Sequence, residues 1–118
     1  DIVQSQILIA EGYKLSSDEV GIKSQDEIVH RGFSIQCRVT TEDPLNNFMP
    51  DTGQINLYRS SSGFGVRLDG GNGFTGAVIS PYYDSLLVKV ITEARTWEDT
   101  IRKAKRSLSE LKVGGVKW

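Results

Sequence analysis

Residues 33–40 read FSIQCRVT, and this stretch decides the predicted fold class. Every second residue in it is apolar: Phe33, Ile35, Cys37 and Val39. Side chains alternate between the two faces of a β-strand, so this period of two predicts one buried face and one polar face. We expect a strand over about residues 29–40, with Cys37 in the core and His30 at the surface.

Shorter apolar stretches predict further strands at about residues 54–59, 64–69, 77–79 and 86–92. The apolar sides of the first two are expected to carry Ile55 and Leu57, and Phe64, Val66 and Leu68. The loop before them, TEDPLNNFMPDTG, is rich in turn-forming residues. We expect its Phe48 and Met49 to fix it to the core.

Two helices are predicted to flank these strands. One covers about residues 97–112, where Thr96 and Asp99 form a capping pattern and Gly114-Gly115 follows as the stop. Its buried side is expected to carry Ile101, Ala104, Leu108 and Leu111. The other covers residues 1–12, with Asp1 as its cap and Gly12 at its end. This order of elements predicts an α+β fold, a mostly antiparallel sheet with flanking helices.

The other side of the second predicted helix is basic. It carries Arg102, Lys103, Lys105, Arg106 and Lys112. Such a face is either solvated or a surface for a partner or a second copy, and the sequence leaves both open.

Composition limits the function. The 118 residues suit one domain, and a net charge of −1 argues against a nucleic-acid partner. No apolar run reaches the roughly 20 residues of a membrane helix. One His and one Cys supply too few ligands for a structural zinc ion, and no disulfide can form within the chain. We therefore expect no bound metal and a reducing compartment.

One glycine pattern is misleading. Gly71, Gly73 and Gly76 satisfy GxGxxG, which in a dinucleotide fold ends a strand and opens a helix. Here Ala77-Val78-Ile79 and then Pro81 follow, which predicts a strand. We interpret the glycines as a turn with positive φ angles.

Arg67 is the polar residue that stands out on physical grounds. It lies within a predicted strand, between Val66 and Leu68, and glycines at 63, 65, 70 and 71 flank it. Glycines leave room for a ligand to approach, and a guanidinium binds a planar carboxylate-like anion through two parallel hydrogen bonds. The alternative is an ion pair with Asp69 or a neighbouring strand.

Residues 31–117 resemble the C-terminal domain of biotin carboxylase. The matching pieces are RGFSIQCRVTTEDP at 31–44, FMPDTGQI at 48–55, SGFGVRLDGG at 62–71, SPYYDSLLVKVI at 80–91 and GVK at 115–117. DIVQSQILIAEG at 1–12 and the variants TTEDP and ISP resemble the pyruvate carboxylase branch more than the acyl-CoA carboxylase branch. The resemblance makes residues 29–118 this domain, and residues 1–28 the end of the preceding ATP-grasp region and a connector.

The resemblance implies a part of a biotin-dependent ligase. In that family ATP and Mg²⁺ activate bicarbonate, biotin is carboxylated, and a pyruvate carboxylase passes the carboxyl group to pyruvate to give oxaloacetate. The segment that binds ATP and Mg²⁺ in the family has no counterpart in this sequence. Both ends look cut, so we expect a fragment that is inactive alone and binds no cofactor, with biotin on a separate carrier domain.

The resemblance also assigns residues. Arg67 matches the family arginine that contacts biotin and bicarbonate-derived groups, and so is the expected catalytic residue. Tyr82, Tyr83 and Asp84 belong to a family signature and are expected to support neighbouring loops. The implied partners are the ATP-grasp domain, the biotin carboxyl carrier domain and a second copy of the chain through residues 86–112.

The implied location is the cytoplasm, or the mitochondrial matrix in a eukaryote. Two alternatives stay open. One is a non-enzymatic interaction module that docks through the basic helix face at residues 102–112, and the other is the equivalent domain of an acyl-CoA carboxylase.

Overall fold

The computed structural model describes residues 1–82 and 85–118. The helices are α1 (Ile2–Ala10) and α2 (Trp97–Glu110). The strands are β1 (Phe33–Thr40), β2 (Glu42–Asp43), β3 (Met49–Pro50), β4 (Gly53–Gln54), β5 (Leu57–Arg59), β6 (Val66–Gly70), β7 (Val78–Ile79), β8 (Leu86–Ala94) and β9 (Lys112–Gly114). The chain divides into two units, Asp1–Arg31 and Gly32–Trp118. No helix in the described ranges has the length and apolar character needed to span a bilayer.

The first unit contains α1 and a connection with one short 3₁₀ turn, Gln25–Glu27. Helix α1 lies within the predicted 1–12 range, and Gly12 follows it with a φ of 99°, as expected for a helix end. Asp1 stands at the N-cap position, but its side chain makes no capping hydrogen bond, so that part of the prediction is wrong.

The second unit is built on an antiparallel sheet in the order β1-β8-β6. The same unit contains three two-stranded pairs, β2-β3, β4-β7 and β5-β9. The predicted α+β class, with antiparallel strands and two helices, is confirmed. The β5-β9 pairing places Arg59 directly opposite Lys112.

The core of the second unit lies beside β8. Its buried apolar residues are Val39, Ile55, Ala77, Ile79, Leu87, Val88, Val90 and Leu111. Strand β1 alternates as predicted, but its burial deepens along the strand, from an exposed Phe33 to a buried Val39. Cys37 is therefore only half-buried and not a full core residue.

Several predicted inward positions face solvent instead. Phe48 and Met49 are exposed, because the 41–53 segment folds as its own small hairpin with left-handed φ angles at Asn47 and Phe48. Leu57 is exposed because the 54–59 stretch breaks at Ile55 and Asn56 into two short strands. Phe64 is fully exposed, since β6 begins only at Val66.

Helix α2 begins as predicted and ends earlier. Thr96 Oγ1 accepts a hydrogen bond from the Asp99 backbone N–H at 3.2 Å and donates one to Asp99 Oδ2 at 2.8 Å. The last helical residue is Glu110, and Leu111 turns extended while staying buried. Lys112 and Gly114 then belong to β9, so the predicted stop at Gly114-Gly115 is wrong.

The predicted buried side of α2 is partly right. Ala104 is buried, Ile101 and Leu108 are half-buried, and Thr100 and Ser107 are buried although the apolar pattern did not include them.

Candidate functional site

One face of the three-stranded sheet carries charged and polar residues. On β6, Arg67 lies opposite Ile91 of β8, and Asp69 lies opposite Lys89. On the far side of β8, Ser34 of β1 lies opposite Glu93. Because side chains alternate along each strand, these residues share the face that is opposite the buried Val88 and Val90. The face thus combines charged side chains with the apolar Ile91.

A cavity of about 370 Å³ opens on this face beside Arg67. Its lining residues are Ser34, Gly65, Val66, Arg67, Ile91 and Glu93. The lining joins a hydroxyl, a carboxylate and a guanidinium to the apolar side chain of Ile91. Such a mixture suits a small, planar, polar ligand.

Asp69 accepts two parallel hydrogen bonds from the guanidinium of Arg67, an arrangement called here the Arg67–Asp69 fork. Arg67 donates from Nε to Asp69 Oδ1 and from Nη2 to Asp69 Oδ2, both at 3.0 Å. The Arg67 side chain is still 72% exposed. Within the described part of the chain, its third nitrogen, Nη1, makes no hydrogen bond. The ion pair anticipated from the sequence therefore forms and still leaves an outward-facing edge of the guanidinium for a ligand.

Gly65 places the loop that leads into Arg67. Its φ is +71°, and a Cβ atom there would lie 2.5 Å from the Glu93 carbonyl oxygen and against Lys103 Nζ. The Glu93 N–H donates to the Gly65 carbonyl at 2.8 Å, and Lys103 Nζ donates to the Glu93 carbonyl at 2.6 Å. From the sequence, Lys103 is only one more charge on a basic helix face, and nothing in the pattern predicts this contact.

Of the predicted supporting residues, the structure describes only Tyr82. Tyr82 is exposed, its backbone N–H donates to Ser80 Oγ at 3.2 Å, and it does not line the Arg67 cavity. Tyr83 and Asp84 lie outside the described residues. Within the described ranges, no group of three or more His, Cys, Asp and Glu side chains is placed to hold a metal ion.

The basic side of α2 is largely occupied by contacts of its own. Arg102 Nη2 pairs with Asp99 Oδ1 at 2.5 Å, and Arg106 Nη1 lies 4.0 Å from Glu110 Oε1. Lys103 binds a backbone carbonyl of β8. Because acidic partners on the same helix offset these charges, the helix presents less net charge for docking than the sequence indicated.

The family model described as "Biotin carboxylase C-terminal domain" matches residues 36–118. The chain belongs to this family. The biotin carboxylase C-terminal domain expected from the motifs is thus confirmed, and the similarity is greatest to pyruvate carboxylases.

The pyruvate carboxylase of Bacillus subtilis is 59% identical to this domain over 117 residues, or 99% of this chain and 10% of that protein. The complete multifunctional pyruvate carboxylase from Rhizobium etli superposes with a TM-score of 0.89 at 47% identity, over 98% of this chain and 11% of the other. This domain spans about a tenth of the length of the curated relatives it matches.

A third similar structure is the biotin carboxylase domain of the Hydrogenobacter thermophilus 2-oxoglutarate carboxylase. It superposes with a TM-score of 0.84 at 39% identity, over 99% of this chain and 24% of the other. That protein is a dimer in complex with MgADP, ADP and bicarbonate.

Proposed function

We propose that this chain is the C-terminal part of the biotin carboxylase component of a pyruvate carboxylase, and that Arg67 is its catalytic residue. The observation that carries the proposal is the placement of Arg67. Its guanidinium is hydrogen-bonded on one side to Asp69, and the Arg67 side chain is 72% exposed beside a polar cavity. The similarity to whole pyruvate carboxylases supports the reaction class.

The residues present fit the ureido group of biotin. That group is small, planar and polar, and the cavity of about 370 Å³ presents a guanidinium edge next to the apolar Ile91. Biotin, when bound, supplies a ureido nitrogen that accepts the carboxyl group and an oxygen that gains negative charge as that nitrogen loses its proton.

Arg67 acts on that developing charge. A fixed guanidinium aimed at an oxygen stabilises it more in the transition state than in the ground state, which lowers the barrier. Asp69 prevents the arginine side chain from turning away, because two parallel hydrogen bonds define the plane of the guanidinium. Part of the orientation cost is therefore met before the ligand arrives.

The remaining parts of the reaction belong to other segments of the proposed enzyme. ATP and Mg²⁺ bind the ATP-grasp domain, of which residues 1–28 form the end, and biotin arrives on a carrier domain. A second copy of the chain contacts it through residues 86–112, where Trp97 packs edge-on against Phe33 at 6.1 Å and both rings stay about half exposed. The enzyme acts in the cytoplasm, or in the mitochondrial matrix of a eukaryote.

The test is Arg67→Ala in the complete carboxylase. Removing one such donor typically lowers the rate about 100- to 1,000-fold. We expect that loss in ATP-dependent biotin carboxylation, while the separately assayed carboxyl transfer to pyruvate is unaffected. Arg59→Ala is the matched control, because Arg59 lies on β5 and does not line the cavity. An Arg67→Ala enzyme that carboxylates biotin at the normal rate would contradict the proposed role.

The carboxyl acceptor needs a separate test. The same domain in an acyl-CoA carboxylase would serve a different transferase. The coding sequence downstream of this domain distinguishes the two, since a pyruvate carboxyltransferase region there is expected and an acyl-CoA carboxyltransferase region would reverse the assignment.

A further inference from the structure

The loop before Arg67 is a tight turn that is hydrogen-bonded to a neighbouring strand. The Val66 N–H donates to the Gly63 carbonyl at 3.1 Å, which closes the turn. Its next attachment is the hydrogen bond between Gly65 and the backbone of Glu93, at the end of β8. The position of Arg67 relative to the cavity therefore depends on how firmly Glu93 and Gly65 are held.

Lys103 contacts both Glu93 and Gly65. Its ammonium donates to the Glu93 carbonyl at 2.6 Å, and it fills the space where a side chain at position 65 would be. On the next turn of α2, Arg106 Nη2 lies 3.6 Å from the position of a Cβ atom at Gly63. Helix α2 thus faces both glycines of the turn, and Lys103 makes the one charge-assisted hydrogen bond among these contacts.

The peptide of Glu93 is bound on both sides. Its N–H goes to the Gly65 carbonyl and its carbonyl accepts from Lys103. Glu93 and Gly65 also line the Arg67 cavity. One ammonium group therefore connects helix α2, the end of β8 and the turn that forms the rim of the cavity.

We propose that Lys103 is a positioning residue for Arg67. Lys103 does not line the cavity; it fixes the Glu93 carbonyl and closes the space beside Gly65, so the turn cannot shift toward the helix and carry Arg67 with it. This inference rests on the proposed catalytic role of Arg67. It assigns to the catalytic arginine a support that is distant in sequence and lies on another element.

The experiment uses the complete carboxylase with Lys103→Met, which keeps an unbranched apolar side chain and removes the ammonium. Misplacing a reacting group by about 1 Å costs up to roughly 100-fold, so we expect kcat for biotin carboxylation to fall about 10- to 100-fold. The KM for ATP is expected to stay unchanged, because the nucleotide binds elsewhere. Lys105→Met is the control, since Lys105 is an exposed lysine on the same helix.

Two further readouts separate positioning from general damage. Hydrogen exchange of the peptide covering residues 63–70 should speed up in Lys103→Met and not in Lys105→Met. Lys103→Arg, which keeps a charged donor, should recover most of the lost rate. Failure of either result, or a kcat for Lys103→Met that equals that of Lys105→Met, would overturn the inference.

The Arg67→Ala enzyme distinguishes this failure from a failure of the proposed function. If Arg67→Ala loses activity and Lys103→Met does not, only the role of Lys103 is wrong. If Arg67→Ala keeps full activity, the role of Arg67 is wrong, and that of Lys103 falls with it.

Discussion

Three glycines of the second unit differ in how much room each leaves for a side chain. Gly65 has a positive φ and no room for a Cβ atom, whereas Gly76 has a φ of +95° with open space around it. Gly70 has ordinary backbone angles and open space. Substitutions at these three glycines therefore distinguish the free-energy cost of a strained backbone from that of a steric clash.

We predict that alanine substitutions rank these glycines by their effect on the free energy of unfolding. Gly70→Ala should change it by less than about 1 kcal/mol. Gly76→Ala should lower it by about 1–2 kcal/mol through the left-handed backbone alone. Gly65→Ala should lower it by more than Gly76→Ala, because the clash with the Glu93 carbonyl is added. Urea unfolding of the chain measures all three, and equal losses at 65 and 76 would show that the turn relaxes freely.

The sequence predicts Arg67 as a site residue but does not predict the contact between Lys103 and the Glu93 carbonyl. Arg67 is visible because glycines surround it and because its motif resembles a known family. Lys103 is not visible, since only the folded chain brings it to the Glu93 carbonyl. Gly71 and Gly73 were expected to need positive φ angles, but they are close to the backbone of Leu86 and Leu87, which excludes a Cβ atom. Glycine is favoured both where a turn needs a positive φ angle and where another backbone segment approaches closely. The sequence alone therefore does not distinguish these two reasons for a glycine.

Helix α2 shows what local sequence determines at the scale of an element. Its start was predicted correctly because capping depends on residues only three positions apart, Thr96 and Asp99. The apolar period predicts too late an end, because Leu111 continues that period while its backbone is already extended. Pairing of Lys112 with β5, a long-range contact, ends the helix.

We predict that Thr96→Ala lowers the free energy of unfolding by about 1 kcal/mol, because it removes the acceptor for the Asp99 N–H. Thr96→Ser keeps that oxygen and should cost less than half as much. The Thr96 hydroxyl also lowers the pKa of Asp99, so in Thr96→Ala this pKa should rise toward its ordinary value. Chemical denaturation and a carboxyl NMR titration measure the two effects, and an unchanged Asp99 pKa would contradict the capping geometry.

At the scale of the whole molecule, residues far apart in sequence close the second unit. Lys117 Nζ pairs with Asp43 Oδ2 at 2.5 Å, and the Lys117 N–H donates to Asp51 Oδ2 at 2.7 Å. Asp43 also accepts from the Leu45 N–H at 3.1 Å. The end of the chain is thereby fastened to the hairpin that follows β1.

This attachment should depend on pH. The Lys117 ammonium lowers the pKa of Asp43, and Asp43 in turn raises the pKa of Lys117. Because the carboxyl pKa is lower in the folded state, ionised Asp43 stabilises the fold above the unfolded-state pKa of about 3.9. This stabilisation is lost as the pH falls through the folded-state pKa. Because the lysine pKa is higher in the folded state, charged Lys117 stabilises the fold below the unfolded-state pKa of about 10.4. This stabilisation is lost as the pH rises through the folded-state pKa.

Asp43→Asn should therefore lower stability between about pH 5 and 9 and make little difference at pH 2. Thermal unfolding across this range measures the effect, with Asp18→Asn as the control for an exposed carboxylate in the first unit. A deficit of equal size at pH 2 would mean that the amide disturbs the turn and not the ion pair.

The two cations that face each other across the β5-β9 pair make this part of the molecule sensitive to salt concentration. Arg59 and Lys112 carry like charges on directly facing positions, and such pairs repel across a sheet. Dissolved ions shorten the range of that repulsion, to roughly 3 Å at 1 M compared with 30 Å at 0.01 M. Concentrated sodium chloride should thus tighten this pair of strands, even as it loosens the exposed Arg67–Asp69 fork on the sheet beside it.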